Sequence, residues 1–215
     1  MKTKWFLAAG MMALMVGMVA ISPANANTIW ATDVIWNAGS GVTIGGDRYD
    51  PNKALGIPDP ATNEEDFLSL GLGGYAIFDF GQIFDNEGVV VETTYNNRDG
   101  YPESAKVYVA GSDFTSTFNE YKQDYDEGDQ AAPTNLFTEV GDITNQQMES
   151  TIDLTGLSGP FRYLMVEDIT GANSPSTDGF DIDAVGVAPV PEPGTVILLG
   201  VGLVGLAGAR RKMKR

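Results

Sequence analysis

The sequence contains neither cysteine nor histidine. Without cysteine no disulfide bond can form, so stability has to come from the core of the fold or from bound ions. Ser-His-Asp and Cys-His nucleophilic catalysis are both excluded. Zinc held by histidine, and non-haem iron held by two histidines and a carboxylate, are excluded as well. Carboxylate chemistry, calcium binding and a role without catalysis remain open.

Basic side chains are scarce between residues 27 and 189. This segment carries six basic and 28 acidic side chains, a net charge of −22. Nucleic acid is therefore a poor partner, because binding it requires lysine and arginine to neutralise phosphates. Divalent cations and polysaccharide matrices are better candidates. The alternative is that the acidic surface only keeps a secreted protein soluble and monomeric.

The first 26 residues have the three parts of a secretory signal peptide. Lys2 and Lys4 give a positive start, and a long apolar stretch follows. Ala24 and Ala26 then form a small-x-small cleavage site. We expect Sec-type export machinery and signal peptidase to act here, so that the mature chain begins at Asn27 outside the cytoplasm. The alternative is a membrane helix that is retained.

The C-terminal segment combines an uncharged run with a basic end. Residues 195–209 carry no charge, and a helix of that length spans about 23 Å, short of the roughly 30 Å of bilayer hydrocarbon. The basic end should stay on the cytoplasmic side, because translocating clustered positive charge is unfavourable. It comprises Arg210, Arg211, Lys212, Lys214 and Arg215. Taken alone, this order indicates a stop-transfer anchor.

A proline motif precedes the apolar run, and it reads Val190, Pro191, Glu192, Pro193 and Gly194. With the run and the basic end, it resembles the PEP-CTERM sorting signal of Gram-negative bacteria, over residues 190–215. The resemblance implies a transient inner-membrane anchor that an exosortase-type membrane protease cuts, after which the protein reaches the cell surface or matrix. The prolines suit this role, because they stop a helix upstream and hold the site extended.

The middle of the chain, residues 27–189, has the pattern of short strands separated by turn residues. Strands are predicted at residues 29–36, 75–81, 89–95, 104–110, 150–154, 161–169 and 180–187. Their spacing predicts an all-β domain, an antiparallel β-sandwich or jelly roll. The signal helix and a C-terminal transmembrane helix would flank it. Residues 111–136 are expected to form a long acidic excursion between strands.

Three blocks, at residues 48–59, 67–81 and 179–185, resemble galactose-binding-like (discoidin-type) jelly rolls of bacterial surface proteins. The first block contains Asp-Pro-Asn-Lys-Ala-Leu-Gly, and the last reads Gly-Phe-Asp-Ile-Asp-Ala-Val. The resemblance implies that the early loop lies near the last strand, where such domains often hold a structural calcium ion.

Oxygen-bearing side chains in these blocks are candidate calcium ligands. Calcium takes six to eight oxygens from carboxylates, amides and carbonyls. Asp50, Asn52 and Asp59 lie in the turn-rich loop, and Asp181 and Asp183 alternate along a predicted strand and so share one face. The alternative is that Asp50 and Asp59 cap turns, while Asp181 and Asp183 face water.

Aromatic and acidic side chains leave the type of function open. The two tryptophans of the middle segment, Trp30 and Trp36, are expected in the core, whereas the tyrosines could either pack there or present flat faces to sugars. Glycoside hydrolysis needs two carboxylates at a set separation, and no motif selects a pair.

We therefore expect a non-enzymatic, exported surface or matrix protein associated with exopolysaccharide or biofilm. A calcium-dependent carbohydrate-binding module is the first alternative, and a secreted glycosidase is the second.

Overall fold

The computed structural model describes residues 28–43, 46, 48–59, 66–93, 100–123 and 131–190. The predicted signal segment, with Ala24, Ala26 and Asn27, and the tail after Val190 lie outside these residues. Within the described part, no helix combines the length and apolar character needed to cross a bilayer.

The described domain contains ten strands. In chain order they are β1 (Ile29–Trp30), β2 (Asp33–Asn37), β3 (Leu68–Ser69), β4 (Tyr75–Val91), β5 (Ser104–Ala110), β6 (Thr138–Thr144), β7 (Glu149–Asp153), β8 (Phe161–Asp168), β9 (Asp181–Ile182) and β10 (Ala184–Pro189). Their pairings are all antiparallel. The predicted all-β, antiparallel class is therefore confirmed.

The 17-residue strand β4 belongs to both layers of the sandwich. Its first part pairs with β2 and β8, and β5 and β6 continue that layer. Its last part pairs with β10 and β7, and β1 lies on the other side of β10. The register against β8 shifts between Asp79 and Phe84, around Gly81 with a φ of 68°. Glycine suits this position because larger residues rarely adopt positive φ.

The main core lies between the layers and follows the predicted alternation. Ala76, Phe78 and Phe80 of β4 contribute to it, as do Val107 and Val109 of β5. These side chains are at most 2% exposed. Burial of such apolar area is the main favourable term in folding, and a chain without disulfides depends on it.

A second apolar cluster lies on the outer face of the first layer and is covered by a helix. α1 (Thr115–Gln123) follows a 3₁₀ turn, Ser112–Phe114. The rings of Phe114 and Phe118 lie 5.3 and 5.1 Å from that of Tyr163 on β8. Lys122 pairs with Asp33 at 2.5 Å. The segment predicted as an acidic excursion is thus partly a packed helix, which its short length and few apolar residues concealed.

Strand boundaries differ from the sequence prediction where the signal is weak. The predicted strand at 75–81 and the start of the one predicted at 89–95 belong to one strand, β4, which ends at Val91. The strand predicted at 180–187 is broken at Asp183 into β9 and β10. β6 was not predicted, because Ile143 is its only buried residue and no alternation results.

The chain enters and leaves the domain at the same end. Ile29 of β1 pairs with Val187 of the antiparallel strand β10, so the start of β1 and the end of β10 lie at the same end of the sheet. We call this the terminal end; it also includes residues 81–86 and 154–160. The opposite end, the far end, comprises residues 71–74, 100–104, 145–148 and 169–180.

The helix cover predicts a stability effect. Phe118 is 2% exposed and contacts Tyr163, so Phe118→Ala should lower the free energy of unfolding by about 3 kcal/mol through lost burial and a residual cavity. Urea unfolding of residues 27–190 measures this. Glu120→Ala, on the exposed side of α1, is the control. Equal effects of the two substitutions would contradict a packed helix.

Candidate functional site

Four of the five predicted calcium ligands line one cavity of about 420 Å³. These are Asp50, Asn52, Asp59 and Asp183, and the cavity also includes Lys53, Leu55, Ile57 and Asp66. The Asp50 carboxylate accepts hydrogen bonds from the backbone N–H and the side-chain amide of Asn52, at 2.9 and 2.8 Å. It thereby caps the 3₁₀ turn Pro51–Ala54. At Asp50 the structure thus shows the turn capping that the sequence offered as the alternative to calcium binding, and this capping holds the loop in its conformation.

Asp183 is the most buried acid of this cavity. Its carboxylate accepts a hydrogen bond from the backbone N–H of Asp59 at 3.4 Å. Burial raises the pKa of Asp183 to about 6, and the nearby carboxylates of Asp59 and Asp66 add to the rise. Lys53 lies 3.6 Å from Asp66 and partly offsets the negative charge.

The fifth predicted ligand, Asp181, lies apart from this cavity. The predicted strand is interrupted at Asp183, and only Asp183 lines the cavity. Both carboxylates are buried, so the alternative that they face water is wrong. Among the described residues, no three acidic side chains form a group suited to a metal ion. Calcium binding therefore stays a prediction.

Asp181 belongs instead to a buried acidic cluster beside β3 and the far end. It is 3% exposed and accepts a hydrogen bond from the Ser69 hydroxyl. Burial raises its pKa well above the ordinary value, and the carboxylates of Glu103 and Asp178 raise it further. Arg48 acts in the opposite direction.

Glu103 is the second strongly perturbed acid of the cluster. It is also 3% exposed, and it accepts a hydrogen bond from the Ser176 hydroxyl at 2.7 Å. Burial raises its pKa to about 7; the Ser176 hydrogen bond lowers it, while nearby acids, led by Glu92, raise it. Because their pKa values are raised, Glu103 and Asp181 each bind a proton more tightly in the folded than in the unfolded chain.

Asp168 shows how the fold accommodates a buried carboxylate with enough donors. It accepts hydrogen bonds from Phe180 N–H and Gly73 N–H at 2.9 Å and from the Thr170 hydroxyl at 2.7 Å. These bonds join the end of β8 to two loops of the far end. Sequence reasoning missed both Glu103 and Asp168. The Asp168-x-Thr170 spacing, typical of a side-chain-capped turn, was the available signal for the latter.

The aromatic side chains divide between core and surface. Trp36, Tyr75 and Tyr108 are buried, which confirms the expectation for Trp36. Trp30 is half-buried. Tyr101 is 45% exposed at the far end, the largest exposed fraction among the described tyrosines, and could meet a flat ligand.

The last described residue belongs to the predicted sorting signal. Pro189 ends β10 opposite Phe84, and the Val190 N–H lies 3.5 Å from the Ile83 carbonyl oxygen. Residues 189–212 match the PEP-CTERM protein-sorting motif. This match indicates export and a membrane-anchored sorting signal.

Solved structures with a similar arrangement of strands include carbohydrate-binding modules. The family 32 module of AlyQ, in complex with 4,5-unsaturated mannuronic acid, has 16% identity and a TM-score of 0.40, covering 74% of this chain and 96% of that one. The corresponding module of Clostridium perfringens NanJ, with galactose, has 14% identity and a TM-score of 0.37, covering 74% and 96%.

A larger enzyme also contains a similar part. The Ruminococcus gnavus GH29 fucosidase, in complex with fucose, has 15% identity and a TM-score of 0.45 over 74% of this chain. The chain spans a quarter of that fucosidase. At these identities the similarity concerns the fold alone. No curated protein matches the sequence.

The raised pKa of Glu103 predicts that stability depends on pH. Its pKa is about 7 in the folded chain and 4.5 ordinarily, so its destabilising effect is absent below about pH 4, grows with pH and is complete above pH 7. Glu103→Gln stays neutral and keeps an acceptor for Ser176. It should raise the free energy of unfolding by about 2 kcal/mol at pH 8, with no gain at pH 4.

Urea unfolding at both pH values checks this expectation. Glu87→Gln, on an exposed part of β4, is the control and should show no pH-dependent gain. A gain of equal size at pH 4 and pH 8 would mean that the charge of Glu103 is not the cause.

Proposed function

We propose that this chain is an exported, non-enzymatic surface protein, held briefly in the inner membrane by its tail and then cut by an exosortase-type enzyme. The mature domain is delivered to the cell surface or matrix and associates there with polysaccharide. The observation that carries the proposal is the PEP-CTERM motif at residues 189–212, which starts at the last residue of β10. The folded domain and the sorting signal are thus continuous.

The position of both chain flanks supports a surface role. Because β1 and β10 run out of the same end, the first and last described residues, Thr28 and Val190, lie at that end. A domain tethered there presents its far end outwards. The far end carries Tyr101, Met148 and Ile169, with exposed fractions of 45, 51 and 39%, which offer apolar contact to the faces of sugar rings.

The burial of the perturbed acids supports a non-enzymatic role. A glycosidase acid and its partner carboxylate must both contact substrate. Asp183, whose pKa burial also raises, lines the cavity described above, but Glu103 and Asp181 are each 3% exposed. A sugar could not reach either side chain in this conformation.

A calcium-dependent carbohydrate-binding module is the second candidate. It is favoured by the acidic cavity, where burial and neighbouring carboxylates raise the pKa of Asp183 to about 6. A bound cation would relieve this repulsion and would rigidify the loop of residues 50–59.

The sorting proposal predicts two processed ends. Intact mass of protein from outside the cells should show a chain that begins at Asn27 and ends between Pro191 and Gly194. Replacing Pro191, Glu192 and Pro193 by alanine should leave full-length tails in the membrane fraction, because the extended cleavage site is lost. Pro175→Ala, at the far end, is the control. Wild-type protein that keeps its basic tail in the membrane would make the tail a permanent anchor.

The polysaccharide proposal predicts binding through the far end. Tyr101→Ala should weaken binding of the mature domain to the host exopolysaccharide roughly tenfold, as expected for loss of an aromatic contact. Sedimentation with the polysaccharide measures this, with Leu136→Ala as an exposed control. Binding that survives a calcium chelator supports the main proposal, and binding lost with the chelator supports the calcium-dependent module. No binding in either condition would remove polysaccharide as the partner.

A further inference from the structure

The sheet ends where the sorting motif begins. β10 lies between β1 and β4, so it is held on both sides up to the terminal end. The Val190 N–H, 3.5 Å from the Ile83 carbonyl, is the last backbone donor of this ladder before Pro191. Pro189 is the last residue of β10, and Pro191 and Pro193, within the motif, have no N–H to donate.

The tether between the domain and the apolar run is short. Four residues, 191–194, separate Val190 from Thr195. A fully extended chain of that length spans at most about 14 Å. An enzyme in the bilayer that cuts within these residues has to reach between the membrane and the folded domain. It must therefore contact the terminal end while it acts.

The surface beside Val190 is a groove of about 500 Å³. Ile83 contributes an apolar side chain that is 42% exposed, in the part of β4 that faces the groove. Leu157 and Pro160 line the other side. One oxygen of Asp85, Oδ1, is buried and has no hydrogen-bond partner among the described residues. The Asp85 side chain as a whole is half-buried, so its carboxylate offers an acceptor at the groove to an incoming donor.

We propose that this groove is the docking surface for the membrane-embedded enzyme that processes the sorting motif, a step that rests on the function proposed above. The enzyme would place an apolar side chain against Ile83 and a hydrogen-bond donor near Asp85. A lipid surface is the poorer occupant. Asp85, Glu87 and Asp153 lie at this end, and anionic headgroups would repel them.

The first test changes the groove and keeps the motif. Ile83→Lys should slow conversion of the membrane form to the released form about tenfold in a pulse-chase in the native host, because a central apolar contact is lost. Leu136→Lys places the same charge on an exposed side chain outside the groove and should convert at the wild-type rate. Thermal unfolding of the two released variants checks that each of them is folded.

The second test leaves the domain intact. Eight Gly/Ser residues inserted between Val190 and Pro191 would separate the groove from the cleavage site, so docking predicts slower conversion. Conversion of the insertion variant at or above the wild-type rate, or of Ile83→Lys at the wild-type rate, overturns the docking surface. Absence of conversion in the wild type itself would instead overturn the proposed sorting function.

Discussion

The pairing of β10 with β4 is the interaction on which the rest of the structure depends. β4 contributes to both layers, and β10 attaches the end of the chain to it through the register from Ala184 opposite Val91 to Pro189 opposite Phe84. This pairing completes the second layer and brings β1 into it. It also fixes the point at which the chain leaves the domain. The sorting motif consequently starts at a residue that is paired in the sheet.

The acidic character of the chain is accommodated in three different ways. Most carboxylates in the described part of the chain are at least partly exposed, where water screens them. Asp168 is buried but has donors from three residues, so its charge stabilises the loops that it joins. Glu103 and Asp181 are buried with fewer donors, so their raised pKa values make mild acid favourable for the fold. The free energy of unfolding of this chain, which has no disulfides, therefore depends partly on the protonation of these two buried carboxylates.

The candidate calcium site was predicted in part. Local turn chemistry at Asp50 and Asn52 is readable from sequence, and the structure brings Asp59 and Asp183 to the same cavity. Asp181 was misplaced because a perfect alternation was assumed through Asp183, where the strand breaks. Glu103 was not predicted at all. Its burial results from contacts with residues such as Ser176, far away in sequence.

The sequence by itself determined the all-β class, the strands with clear alternation and the sorting motif that follows the domain. Each of these follows from periodicity or composition within a short window. Tertiary structure alone decided that β4 is one strand, that α1 covers the outer face, and that Asp181 meets Ser69 across 112 positions. Burial and electrostatics depend on which distant segments pack together, and no local pattern encodes that.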